Sequence, residues 1–266
     1  MTFEASIVIP LLNQVDSWLE QSVRSAVNQN IPTEVVVVGS KFTSPSNQIV
    51  LKQLQRQYDN LAILVEEKST HHFPAAINMG IRHATTNRVG LLFSDDWLDP
   101  GTIAECLPRE TDIVSTGTVV YFPNGSVNER ACRTPSILEF NSRDSLEKKA
   151  SYLTHFFLLR KELVLSAGGL DESIGNCPGI DDFDLIWTLL EHGATVSVIG
   201  KGLYHVRDHE GDRLTLQDPK MQVENLKKIL RKHGIMDEQA MEIINEYAHW
   251  YGKPIFKAIR DSAVQC

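Results

Sequence analysis

Hydrophobic and polar positions alternate between two periods along the first hundred residues. Ser6-Ile7-Val8-Ile9-Pro10 is a short apolar run closed by a proline and followed by the loop Leu11-Leu12-Asn13-Gln14, the pattern of a buried strand. Over residues 16–29 the spacing changes. Trp18, Leu19, Val23, Ala26 and Val27 recur at helical intervals, which predicts a helix capped by Asp16 or Ser17. Residues 34–40 then read as a central parallel strand, because the four consecutive valines Val35 to Val38 suit a strand covered on both faces. Strand, helix and strand at this spacing make a right-handed βαβ unit, the opening of a nucleotide-binding half sheet. A helix over 48–58, a strand over 61–65, a helix over 75–84 and a strand entering Val89-Gly90-Leu91-Leu92-Phe93 continue the alternation and predict the α/β class.

The last of these strands carries the chemistry. It runs through Ser94 into Asp95-Asp96-Trp97-Leu98-Asp99-Pro100, so two adjacent carboxylates fall at the carboxyl edge of the sheet, where open α/β folds place their ligands. Adjacent ionised carboxylates repel each other unless a cation sits beside them, and oxygen-rich sites suit Mg²⁺ or Mn²⁺. The alternative is a solvated Asp-Asp turn.

Beyond residue 100 the pattern is less regular. A strand over 112–121 turns at Pro123-Asn124-Gly125 into a partner over 126–132; a strand over 151–160 leads to a short helix over 161–167, ended by Gly168-Gly169. Leu185, Trp187, Leu189 and Leu190 predict a helix with Gly193 as its C-cap and Asp181, Asp182 and Asp184 crowding its first turn, where dipole complementarity alone would explain them. A last strand over 196–199, a polar loop over 204–215 and helices over 219–232 and 237–261 complete the reading.

Composition narrows the function by exclusion. The 266 residues carry a formal net charge of −8, which argues against broad binding to nucleic acid. Cys106, Cys132, Cys177 and Cys266 are scattered with no zinc-like spacing, as in a reduced, cytoplasmic protein. No apolar run has the length of a transmembrane helix and no secretory leader is evident. The basic stretch Lys227-Lys228-Ile229-Leu230-Arg231-Lys232 leaves peripheral contact with an anionic membrane open, beside the plainer reading of a solvated helix face.

Several short motifs, in order, resemble the inverting glycosyltransferases of family 2, with the GT-A fold. Ile9-Pro10-Leu11-Leu12-Asn13 is similar to the family's first-strand motif, and residues 18–29 resemble its first helix. Ala76-Ile77-Asn78-Met79-Gly80-Ile81 resembles Ala-Arg-Asn-x-Gly-Ile, and Phe93-Ser94-Asp95-Asp96 resembles the metal motif Asp-Ser-Asp-Asp. Gly168-Gly169-Leu170-Asp171-Glu172 with Asp181-Asp182-Phe183-Asp184 resembles the Gly-Gly-Phe-Asp-Glu and Glu-Asp-x-Asp pair; residues 204–209 resemble the closing Tyr-Arg-x-His through Arg207 and His209. The sequence departs from the pattern at Ile77, at Phe93, and at Gly39-Ser40-Lys41-Phe42, where family members usually carry Asp-Asp-Gly-Ser to read the nucleotide base.

The resemblance implies a Rossmann-like, mixed but mainly parallel sheet flanked by helices. Residues 1–215 would form the transferase domain (1–100 the nucleotide half, 101–215 the acceptor and catalytic half) and 216–266 a C-terminal helical extension. It implies a metal-dependent transfer of sugar from a nucleotide sugar, UDP first and GDP second, with inversion, to an acceptor that no motif identifies. Asp182 would be the base with Asp181 beside it; Asp95, Asp96 and His209 would hold Mn²⁺ or Mg²⁺. Pro10, Leu12, Asn13, Gly39, Ser40, Asn78, Asp95, Arg207 and Arg213 would line the donor site, although Asn13 and Asn78 also suit loop-fixing roles. Two rivals belong to other classes. A nucleotidyltransferase would need a glycine-rich basic loop after the first strand, and a non-catalytic nucleotide-sugar binder is suggested by the missing carboxylates.

Overall fold

In the computed structural model, residues 2–67, 73–130, 153, 156–173, 181–209 and 219–235 are described. The first half alternates as expected: β1 (Ala5–Pro10), α1 (Asp16–Val27), β2 (Thr33–Ser40), α2 (Pro45–Gln55), β3 (Leu61–Glu66), α3 (Phe73–His83) and β4 (Arg88–Leu91). The second half comprises β5 (Trp97–Leu98), α4 (Thr102–Cys106), β6 (Ile113–Tyr121), β7 (Val127–Arg130), β8 (Phe157–Arg160), α5 (Lys161–Ser166), α6 (Asp181–Glu191), β9 (Val196–Arg207) and α7 (Pro219–Lys232). The strands form one sheet in the order β3-β2-β1-β4-β8-β6-β9-β5, with β7 paired to β6. Strands β1 to β4 run parallel, β9 runs parallel to β6, and the other pairings are antiparallel, so the sheet is mixed.

Alternation within the strands divides the core into two apolar layers. Ile7, Ile9, Val35 and Val37 face α1, α2 and α4, while Val8, Val36 and Val38 face α3, α5, α6 and α7. Ile7, Val8, Ile9 and Val35 to Val38 are fully buried, each stabilising the fold by about 1.5–3 kcal/mol. Close approach of α3 to β1 requires Gly80, since a Cβ there would lie 2.4 Å from Val8 Cγ1.

Several boundaries differ from expectation. Neither Asp16 nor Ser17 caps α1. Val15 precedes the helix without a side-chain cap, and Asp16 Oδ1 instead accepts a hydrogen bond from Asn47 Nδ2 at 2.6 Å. Helix α2 begins at Pro45, three residues early, because proline suits the first helical position and Ser44 Oγ accepts from Asn47 N–H. The short α4 was not foreseen.

The largest correction is β9. The strand expected to stop at Ile199 continues to Arg207, taking in the first four residues of the expected polar loop. Gly200 and Lys201 are accommodated as a register shift, Thr116 pairing with Ile199 and Gly117 with Gly202. Beyond it Tyr204 and Val206 are buried and alternate with the half-buried His205 and Arg207, a strand period masked by polar residues. The expected helix over 237–261 lies outside the described residues, as does Arg213. Among the described residues no helix is long and apolar enough to cross a membrane.

Candidate functional site

The parallel strands β1, β2 and β4 end on the same side, and the segments after β1 and β2 are stapled to one another. Asn13 Oδ1 accepts from Ser44 N–H at 2.7 Å, and Gln14 N–H donates to Asn47 Oδ1 at 2.8 Å, so the loop after β1 is fastened to the start of α2. Asn47 is wholly buried and was not singled out in the sequence, where nothing separates it from other helix-start polar residues. Pro10 and Gly39 are buried at the tips of their strands, with Leu12 and Ser40 half-buried just beyond. Ser40 N–H donates to Thr43 Oγ1 at 2.9 Å, a fold-back that Gly39 permits because a Cβ there would come 3.2 Å from the same oxygen. No carboxylate stands at this point of the chain.

The two acids after β4 have different environments. Asp96 is turned inward. Its Oδ2 accepts from the Tyr204 hydroxyl at 2.7 Å and its Oδ1 from the Arg207 backbone N–H at 2.9 Å. Burial pushes the Tyr204 hydroxyl pKa well up, and the adjoining Asp96 charge adds to the effect, so the phenol stays a donor. Asp95 faces the other way, partly exposed, with Oδ2 3.1 Å from His209 Nε2 across 114 positions of sequence.

Arg207 is fixed between two indoles. Its guanidinium carbon lies 4.8 Å from the Trp18 ring centre and 4.9 Å from that of Trp97, while Nη2 donates to Gln21 Oε1 and Nε to the Asp95 carbonyl. Trp18 also packs 4.8 Å from the His209 ring. In the sequence Trp18, Gln21 and Tyr204 belong only to helical or motif patterns, and it is the reach of β9 that brings them together.

Asp181 and Asp182 open α6. Asp181 is buried; its Oδ1 accepts from Asp182 N–H at 3.2 Å, and its Oδ2 has no hydrogen-bond partner among the described residues. Asp182 is partly exposed and accepts from Phe183 N–H at 2.8 Å. Burial holds the Asp181 carboxyl well above the usual carboxylate range, and the Asp182 charge raises it further; burial raises Asp182 as well. Asp184, the third acid, is bound to Lys232 and His233. Phe73, at the start of α3, lies 5.6 Å from Phe93, just before Asp95 and Asp96.

Asn78 lies apart from Asp95. Its amide is engaged with Leu170 and Glu172, beneath the Gly168-Gly169 turn. As for a cation, among the described residues no group of three acidic, histidine or cysteine side chains is spaced to hold one. The residues nonetheless fit a Mg²⁺- or Mn²⁺-type ion in part. Asp95 and His209 offer an oxygen and a nitrogen side by side, and ions of this class are often completed by substrate phosphates. Asp96, with both oxygens engaged, fits a supporting role better than a ligand role.

Comparison with known proteins bears on the family and the fold. The profile described as Glycosyl transferase family 2 matches residues 6–166. The chain is 22 % identical over 207 residues to the O-antigen biosynthesis protein RfbC of Myxococcus xanthus, covering 76 % of this chain and 16 % of that one. It is 25 % identical over 193 residues to the glycosyltransferase AglE of Haloferax volcanii, covering 69 % and 59 %. It thus spans only part of the length of either relative. Among solved structures it resembles S. aureus TarS 1-349 in complex with UDP-GlcNAc, with a TM-score of 0.64 at 18 % identity, covering 92 % of this chain and 71 % of that one.

Proposed function

The chain belongs to glycosyl transferase family 2, and from that premise we propose that it moves a sugar from a UDP-sugar to an acceptor hydroxyl with inversion at the anomeric carbon, assisted by a divalent cation. One observation carries the reading. The end of β4 and the end of β9, which share no local sequence, meet as Asp95 and His209 at the carboxyl edge of a nucleotide-type half sheet. The complexes of TarS with UDP and with UDP-GlcNAc support the choice of donor.

In this reading the diphosphate lies over the strand tips at Pro10, Leu12, Asn13, Gly39 and Ser40. Asp95 and His209 would hold the cation, whose charge would offset that of the leaving diphosphate. Asp96 braces that pair through Tyr204 and the Arg207 backbone. Arg207, locked between Trp18 and Trp97, adds fixed positive charge at the rim; Arg213 belongs to the same proposed grip.

Asp182 takes the acceptor proton as the hydroxyl oxygen attacks the anomeric carbon and the bond to the diphosphate breaks. Asp181, buried and with its carboxyl pushed well above the usual range by that burial, leaves the base role to the more exposed partner. Residues 1–215 would form this domain, with 216–266 appended.

The test is UDP binding by calorimetry with and without Mn²⁺. Asp95→Ala and His209→Ala should each lower the Mn²⁺-dependent part of UDP affinity by about tenfold or more, roughly 1.4 kcal/mol, and leave binding without metal unchanged. Equal UDP affinity in excess chelator and in Mn²⁺ would remove the cation from the proposal.

A further inference from the structure

Of the three acids that open α6, Asp184 faces away from the proposed chemistry and is only 1 % exposed. Its Oδ2 accepts from Lys232 Nζ at 2.7 Å, and its Oδ1 lies 2.9 Å from His233 Nε2. The other ring nitrogen of His233 lies 2.8 Å from Glu191 Oε1, at the far end of the same helix. Between these contacts the imidazole stacks on Trp187, centroids 4.0 Å apart and planes within 5°. Two residues at the end of α7 thus grip α6 at Asp184, Trp187 and Glu191, along almost its whole length. The His233 side chain is fully buried.

The grip extends to the Gly-Gly turn. Lys232 Nζ also lies 3.5 Å from Asp171 Oδ2, and the residues on either side of Asp171 are held from α3. Asn78 Nδ2 donates to Leu170 O at 2.8 Å and to Glu172 Oε1 at 2.9 Å, and Leu170 N–H donates to Asn78 Oδ1 at 2.9 Å. One polar chain therefore joins α3, the turn, α6 and α7 on the sheet face that carries Asp181 and Asp182.

We propose that Lys232 and His233 are positioning residues that clamp α6 so that its first turn presents Asp182 in a fixed direction. This rests on the reading of Asp182 as the base. Asp184 lies two residues from Asp182, within one helical turn, so an anchor on one orients the other. The chemistry is sensitive to such an anchor, since displacement of a reacting group by about 1 Å can cost on the order of 10²-fold. The inference also assigns the basic end of α7. Lys232 is committed to Asp184 and Asp171 and Lys227 to Glu224, so at least these two cations face protein carboxylates and not a lipid surface.

The test compares Lys232→Met, His233→Gln and the conservative Lys232→Arg in the full chain, with Asp182→Asn in parallel. UDP release from UDP-GlcNAc in Mn²⁺ gives kcat and KM, calorimetry gives UDP affinity, and melting curves confirm that each variant is folded at the assay temperature. Lys232→Met and His233→Gln should lower kcat by about tenfold or more with KM and UDP affinity within about twofold, and Lys232→Arg should recover most of the loss. A kcat within about twofold of wild type in both folded variants overturns the clamp, as does a rise in KM that matches the whole loss. If Lys232→Met does not fold, Asp171→Asn removes only the 3.5 Å contact and should show the same kcat-only pattern at smaller size; an unchanged kcat there also overturns it. Loss of activity in Asp182→Asn beside wild-type rates in the clamp variants sinks the clamp alone. Wild-type rates in Asp182→Asn beside a kcat loss in the clamp variants sink the base assignment and leave the clamp acting on Asp181.

Discussion

At the scale of single residues, the paired acids take their roles from their surroundings. Asp182→Asn should keep the fold and UDP binding yet lower transfer by roughly 10²-fold, the usual size of a lost general base; transfer near the wild-type rate would return the role to Asp181. For Asp181 the expectation runs through stability. Its folded pKa lies above that of the unfolded chain, so the native state binds the extra proton, and stability falls as pH rises above the ordinary carboxylate value of about 4. Asp181→Asn removes that burden and should stabilise the protein by roughly 1 kcal/mol or more at pH 7.5, with the gain vanishing below about pH 4. Melting curves at both pH values check this. The candidate residues themselves were legible in the sequence, because Asp95, Asp96, Asp181 and Asp182 stand at element ends in short motifs. Their division of labour was not. Which carboxylate turns inward depends on Tyr204 and the Arg207 N–H, more than a hundred positions away.

At the scale of elements, the first four strands and three helices could be read from periodicity because each is buried on at least one regular face. Strand β9 could not. Gly200-Lys201-Gly202 looks like an end, and the polar run after it hides the alternation of Tyr204 and Val206 against His205 and Arg207. The Gly168-Gly169 turn shows how narrowly an element can be specified. Both glycines have positive φ, but a Cβ on Gly168 meets nothing within 4 Å, whereas one on Gly169 would lie 2.5 Å from Asn78 Oδ1. Gly168→Ala should therefore cost only about 1–2 kcal/mol of backbone strain. Gly169→Ala should cost that and a further 1–3 kcal/mol or so for the displaced Asn78 hydrogen bonds. Urea denaturation of the two variants tests the difference, and equal costs would mean that Asn78 does not brace the turn.

At the scale of the whole molecule, the sheet is assembled out of sequence order. Strand β8 separates β4 from β6, and β9 lies between β6 and β5, with nine residue pairs between β6 and β9. A chain ended at Thr195 should accordingly lose cooperative unfolding, read as a broad urea transition with no sharp midpoint. Order of assembly also has a consequence in time. A ribosome adds roughly 5–20 residues per second, so the 114 positions between Asp95 and His209 take on the order of ten seconds to appear. During the first half of that interval a growing chain has β1 to β4 already made while β8 (Phe157–Arg160) has not arrived to cover the edge of β4, and until nearly its end the hydroxyl of Tyr204 has not reached Asp96. An open parallel edge is a template for pairing with other chains. The nascent protein is thus most exposed to misassociation in the seconds before β8 is complete, and slowing translation within residues 92–160 should lower the yield of folded protein more than the same delay placed after Arg207.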